Sequence, residues 1–250
     1  INSLIFIIAT VIYLILTLFK NCTKKKWKEN LINVWVVVLY VVISILPTSL
    51  IQGYYSNKYD LDESKQYPTI SYILMAMEEG PRGNGWYSEE IAESAIKDPE
   101  MARKEYPQRI KDRLEYFVSN PGYTFKFYLD KITSMWTENT YSAIMNNTLE
   151  DDTPINNLKE PLTFYQKALL IVTCVCCLIV LIQNRKNLSM EIIFLLTIFI
   201  GGFAFHILWE AKSRYIIPYI VVLIPIASIC INKIDLKSMK IFRKRIKENN

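Results

Sequence analysis

Apolar residues come in long blocks along this chain, separated by stretches that are strongly polar. A helix needs about 20 largely apolar residues to cross the hydrocarbon core of a bilayer. Five blocks approach that length: Ile1–Phe19, Leu31–Ile51, Thr163–Gln183, Ile192–Trp209 and Tyr215–Ile231. The fifth is short and holds Pro218 and Pro225, so the pattern predicts a bent or broken helix there; neighbours can satisfy the carbonyls that proline frees. The predicted class is an all-α multi-pass membrane protein. It has about five transmembrane helices and a mostly helical extracytoplasmic domain inserted between the second and third. The expected divisions are two transmembrane helices in 1–51, the outer domain in 52–162, three transmembrane helices in 163–231 and a basic tail in 232–250.

Within the polar segment the pattern changes to helical spacing with cap signals. The tyrosine-rich opening, Gln52–Gln66, is expected to be irregular, and Tyr67–Met77 is apolar enough to pack. Glu78–Tyr87 contains three glycines and a proline and is predicted to be a loop. Ser88 is a candidate cap for a helix running to about Lys97. Asp98-Pro99 and Asn120-Pro121 are start signals for two more helices, proline being favoured at the first helical position. Ile110, Leu114, Phe117 and Val118 form the expected apolar stripe of one, and Phe125, Tyr128, Leu129, Ile132 and Trp136 that of the other.

Charge sets the expected orientation. Lys20, Lys24, Lys25, Lys26 and Lys28 follow the first block, Arg185 and Lys186 separate the third from the fourth, and seven basic residues fill the tail. Basic residues in short connections favour the cytoplasm, which places 52–162 outside the cell membrane and the C-terminus inside. The outer segment has 12 basic against 19 acidic side chains, in keeping with that side. The net charge of +5 and the pI near 8.8 thus reflect topology, and nucleic acid is not an expected partner. None of the five cysteines falls in the outer segment, and Cys174-Val-Cys-Cys177 lacks the convergent spacing of a thiolate metal site. Packing or palmitoylation accounts for them better. No cofactor motif or metal-ligand set is present; Asp60-Leu-Asp62 and Asp151-Asp152 match an acidic pair in outline only. Asn146-Asn-Thr148 is a glycosylation sequon. The chain opens on an apolar run without an initiating methionine or basic leader, which reads as the C-terminal portion of a longer membrane protein.

Candidate chemistry concentrates where the fourth block gives way to the fifth. His206, Glu210, Lys212, Arg214 and Tyr215 crowd into ten residues at the edge of two spans. Ionisable groups are costly near hydrocarbon, so such a cluster points to a polar or charged ligand. Lys212 and Arg214 suit a phosphate ester, arginine through its forked donors, and Tyr215 adds a hydroxyl. His206 and Glu210, four apart, are expected on one helical face as support for the cations. The structural alternative is that Lys212 and Arg214 are interfacial anchors, with Glu210 as an ion-pair partner and His206 as packing. The Gly80–Tyr87 loop is the second candidate. Its glycines permit close backbone approach, Trp86 and Tyr87 offer flat faces to a sugar or acceptor, and Glu78 can orient hydroxyls. The alternative there is a surface turn with Trp86 at the membrane interface.

Three stretches together resemble the type-C membrane glycosyltransferases, in particular the bacterial relatives of protein O-mannosyltransferases and of the lipid A aminoarabinose transferase. They are Met75–Tyr87 with its Met-Ala-Met and Gly-Trp-Tyr, the Asn120-Pro121 helix ending in Lys131 and Trp136, and His206–Pro218 with its Glu-Ala-Lys-Ser-Arg-Tyr. The resemblance implies a polyprenyl-phosphate-linked sugar as donor, a lipid, glycan or protein acceptor outside the plasma membrane, and no nucleotide. It also implies a carboxylate in a first outer loop, which this sequence does not contain, so a fragment of this extent is expected to be inactive alone. Two other classes share the layout. A polysaccharide polymerase or ligase binds a lipid pyrophosphate through outward arginines; a transporter places polar residues at mid-membrane, whereas these spans are aliphatic at their centres.

Overall fold

A computed structural model describes residues 2–22, 27–60, 62–80, 83–138 and 154–230. The basic tail, Lys24–Lys26, the sequon and Asp151-Asp152 lie outside the described residues. The described residues are mostly helical, with no strand among them. The helices are α1 (Asn2–Cys22), α2 (Trp27–Tyr59), α3 (Ile70–Met75), α4 (Glu89–Lys97), α5 (Pro99–Ser119), α6 (Pro121–Thr137), α7 (Pro154–Asn184), α8 (Met190–Leu208), α9 (Ile217–Val221) and α10 (Ile224–Cys230). Short 3-10 turns occupy Glu63–Lys65 and Ser213–Ile216.

Three of these elements contain stretches long and apolar enough to cross a membrane: Val34–Tyr59 in α2, Glu160–Asn184 in α7 and Met190–Leu208 in α8. A fourth arises if Ser213–Val221 and Ile224–Cys230, bent by 47° at their break, count as one span. The break falls where Pro218 and Pro225 predict it. Leu4–Lys20 in α1 is apolar but shorter, so by length and composition the expected five spans come to three or four. The second block also runs further than expected. Gln52–Tyr59 continues α2 instead of opening an irregular loop. Pairs one turn apart support the extension: Tyr55 stacks on Tyr59 at 5.9 Å, and the Lys58 ammonium lies 5.4 Å from the Tyr54 ring. Asp60, at φ 46°, then ends the helix in a left-handed residue.

The caps of the polar segment are local. The Ser88 hydroxyl accepts from the Ile91 amide at 3.4 Å, and Asp98 accepts from the Met101 amide at 2.9 Å ahead of Pro99. Asn120 stands at the start of α6 but its side chain donates back to the Tyr116 carbonyl. Helices α3, α4 and α5 bury Leu74, Met75, Ile91, Ala95, Ala102 and Tyr106 together. The faces of α5 and α6 differ from the expected stripes. Val118 and Phe125 are 82% and 71% exposed, and Leu114 and Leu129 are also exposed. Phe117 and Trp136 of those stripes are buried as expected, but the rest of the burial in α6 falls on Phe127, Lys131 and Met135, a parallel row one turn apart that meets the loop after α3 and the end of α8.

The apolar helices pack through small residues and rings. Tyr219 lies across α8 at Gly202, where an added Cβ would stand 2.2 Å from the ring. Trp136 sits between Phe199 and Phe203 at 5.7 and 5.6 Å between centroids, tying α6 to α8. Cys176, Cys177 and Cys230 are buried among Val180, Leu223, Ile226 and Ala227, where they act as packing atoms between α7 and α10.

Candidate functional site

The two stretches singled out in the sequence meet in space. Helix α8 ends at Leu208 because Trp209 turns extended (φ −114°, ψ 159°). The chain then lies alongside the Gly80–Tyr87 loop: the Ala211 amide donates to the Gly85 carbonyl at 2.7 Å, and Trp86 and Ala211 form a parallel bridge. This early end separates His206 from Glu210. One is on the helix and the other beyond it, so they do not share a helical face as the spacing predicted.

Glu210 is the centre of the cluster. Its side chain is 1% exposed, and its Oε1 accepts from the Lys212 ammonium and from the Tyr215 hydroxyl, both at 3.1 Å. Oε2 is buried without a hydrogen-bond partner among the described residues. The Lys212 side chain is 20% exposed, and its ammonium also sits 4.2 Å above the Tyr87 ring, a cation–π contact. Arg214 is exposed, with its guanidinium 5.7 Å from the Tyr215 ring. The neighbouring Ser213 hydroxyl donates to Glu138 at the end of α6. Lys212, Tyr215 and Glu210 therefore form one network, with Arg214 at its solvent edge.

The other predicted residues divide. Tyr87 joins the cluster through Lys212. Trp86 is 4% exposed and its indole N–H donates to the Ser134 hydroxyl at 2.8 Å, so it holds the loop on α6. Glu78 pairs with Arg109 at 3.2 Å, away from Lys212. His206 is buried, stacks on Tyr215 with centroids 5.8 Å apart, and has no hydrogen-bond partner for either ring nitrogen among the described residues. It supports Tyr215 by packing and makes no bond to Lys212 or Arg214.

Lys131 was not among the candidates, yet it holds the site's framework. Its side chain is buried, and its ammonium donates at 2.9 Å to three carbonyls: Ala76 after α3, and Ile207 and Trp209 at the end of α8. The last carbonyls of a helix have no partners within it and carry its negative dipole end, which favours a cation. Burial pulls the Lys131 ammonium down to about 7 from the usual lysine range, while the nearby Glu210 charge opposes that shift. Gly85, at φ +71°, leaves room for the lysine, since a Cβ there would lie 2.6 Å from Lys131 Cδ. Its sequence signal is its place between Phe127 and Met135, one turn away on either side in the buried row.

A second layer of hydroxyls lies on α3 and the segment just before it. Tyr67 packs on Tyr72 at 5.2 Å between centroids, and Tyr72 on Trp209 at 5.1 Å. The Glu210 charge reaches both tyrosine hydroxyls. Burial is the larger cause of their raised pKa values, to about 12 for Tyr67, and Glu210 adds to it. The Tyr67 hydroxyl pairs with the fully buried Ser71 hydroxyl, and that hydrogen bond opposes the effect of burial on Tyr67. Among the described residues no group of three or more His, Cys, Asp or Glu is placed to hold a metal ion.

The described residues are mostly helical, with three or four stretches long and apolar enough to cross a bilayer and a polar network where one of them ends. Comparison with protein-family models, with curated proteins and with solved structures finds no match to this chain.

Proposed function

We propose that this chain forms the donor-binding side of an integral-membrane glycosyltransferase, one that moves a sugar from a polyprenyl-phosphate carrier to an acceptor on the outer face of the plasma membrane. The observation that carries the reading is the network of Lys212, Tyr215 and Glu210, with Arg214 exposed beside it, at the point where α8 ends. In this reading the first helix and the bent pair also cross the bilayer, for five spans, with 52–162 outside and the C-terminus in the cytoplasm.

The isoprenoid lies against the apolar helices and its phosphate meets Lys212, Arg214 and the Tyr215 hydroxyl. The acceptor oxygen bonds to the sugar's anomeric carbon as the bond from that carbon to the phosphate oxygen breaks. The electron pair stays on the departing phosphate, and the two cations stabilise it, the electrostatic role that commonly supplies the largest share of rate. The acceptor's proton passes to a carboxylate, which the resemblance places in another outer loop. Glu210 keeps Lys212 in position.

The test is binding of undecaprenyl phosphate to the chain in lipid nanodiscs. Lys212→Gln combined with Arg214→Gln is expected to weaken binding about a hundredfold, from two lost charge-assisted contacts. Unchanged affinity in a folded double variant overturns the assignment.

A further inference from the structure

We propose that the exposed apolar face of α6, built by Phe125 and Leu129, is seated in the bilayer where headgroups meet acyl chains, on the side where α8 ends. The partner is a phospholipid surface. This goes beyond the donor reading and needs only that α8 crosses the bilayer.

Two contacts fix how α6 stands against α8. The Lys131 ammonium donates to the Ile207 and Trp209 carbonyls, level with the end of α8. Further along α6, the Trp136 ring packs on Phe203 and Phe199, which lie about 8 and 14 Å before that end. Helix α6 therefore runs down the side of α8, against its direction, and its last turn overlaps the apolar stretch Met190–Leu208. A stretch of that length spans about 28 Å, close to the hydrocarbon core of about 30 Å. With α8 across the bilayer, Trp136 is at acyl-chain depth and Lys131 at the boundary. Leu129 and Phe125 follow about 3 and 9 Å further out.

Phe125, Leu129, Ile132 and Trp136 recur at helical spacing and share one side of α6. Their exposure falls in the direction of the membrane, from 71% at Phe125 and 50% at Leu129 to 8% at Trp136. Ile132 packs into the same core as Trp136, Phe199 and Phe203. The inner end of the stripe is thus covered by α8, and its outer end is open. Phe127, Lys131 and Met135, on the other side of α6, are buried in protein. Exposed Lys126, Asp130 and Thr133 edge the open end, the division of faces found in helices that lie in a membrane interface. The choice of lipid as occupant rests on continuity. The open end adjoins a surface already at membrane depth, and Ile200 and Leu208 of α8 are themselves exposed, as lipid-facing residues are.

The experiment introduces one tryptophan at a time into the chain in phosphatidylcholine vesicles and reads the emission it adds to wild type. Leu129→Trp and Phe125→Trp are the test positions. Ile200→Trp on α8 is the lipid reference, and Val118→Trp, across the turn from α6, the aqueous one. Brominated acyl chains quench from within the bilayer, and iodide on both sides quenches from water. Insertion by about 5–10 Å is expected to cost Leu129→Trp about half of its added emission in brominated lipid and Phe125→Trp about a quarter, with iodide quenching only Val118→Trp. All four positions are exposed, so the buried row is left intact; a melting temperature equal to wild type establishes the fold. On the unmodified chain, a diazirine-bearing phospholipid should crosslink to the tryptic peptide that carries Leu129. Quenching of both test positions by iodide alone puts the face in water and overturns the proposal. Protection from both quenchers means that a second copy or another chain covers it, which overturns the proposal equally, as does absence of the crosslink. If bromine fails to quench Ile200→Trp, α8 is not in lipid and the proposal falls with it.

Discussion

The Ala211 amide donates to the Gly85 carbonyl at 2.7 Å, and through this bond the turn after α8 is fastened to a loop more than a hundred residues earlier. Gly85 permits the junction for two reasons. Its φ of +71° is costly for a residue with a side chain, and an added Cβ would stand 2.6 Å from Lys131 Cδ and 2.7 Å from the Ala76 carbonyl. Gly85→Ala is therefore expected to lower stability by about 2–4 kcal/mol, strain and overpacking together. Thermal unfolding in detergent measures it. A melting temperature equal to wild type would mean that the loop does not hold this geometry.

Lys131 gives the same junction a pH dependence. Its folded pKa, about 7, lies below the 10.5 of an exposed lysine. Between those values the unfolded chain binds more protons than the folded one, so this group's contribution to stability rises with pH. The penalty of the buried charge is fully present below about 7 and is relieved as pH climbs toward 10.5. Lys131→Met removes the titration, so wild type should gain stability relative to the variant from pH 7 to pH 10. A constant gap across that range would show that the three carbonyls keep the ammonium fully protonated.

Glu210 and Lys212 should be strongly coupled. Removing Lys212 leaves a nearly inaccessible carboxylate without its cation, whereas neutralising Glu210 leaves a lysine that is 20% exposed and can reach water. Lys212→Ala is thus expected to cost more than Glu210→Gln, about 3 kcal/mol against about 1. The double variant should cost less than the sum of the two, and a double-mutant cycle on unfolding free energies reads the difference. Additive effects would mean that the pair does not form.

These features were unequally legible in the sequence. The starts of α4 and α5 could be read because Ser88 and Asp98 cap amides three residues away, an interaction within one local stretch. The bent helix near the C-terminus could be read from two prolines. Extension of α2 to Tyr59 was hidden by polar residues and Gly53, which are common in turns; the ring stacking that sustains the helix shows only once the backbone is helical. In the sequence, Lys131 figured only in the resemblance, at the end of the Asn120-Pro121 helix, with no role assigned to it. Only the choice of which of two apolar faces of α6 is buried distinguishes it, and that choice is made by tertiary packing on α3 and α8. The meeting of Tyr87 with Lys212 depends on a backbone pairing between distant segments, for which neither stretch carries a local signal.

The contact between Gly202 and Tyr219 decides how the bent helix pair lies on α8. A Cβ at position 202 would fall 2.2 to 2.5 Å from three atoms of the tyrosine ring. The ring is also fixed on its other sides, by Phe6 at 6.4 Å and His206 at 5.7 Å between centroids, so it has little freedom to withdraw. Gly202→Ala should then push α9 away from α8, at a cost of about 1–3 kcal/mol for overpacking. Because Tyr215 and Lys212 lie just before α9, the same variant should weaken undecaprenyl phosphate binding under the proposed function. Shortening the ring restores space, so Gly202→Ala with Tyr219→Leu should recover part of the lost stability. The two melting temperatures, single and double, decide the matter. A double variant less stable than the sum of its parts would place the clash somewhere other than this ring.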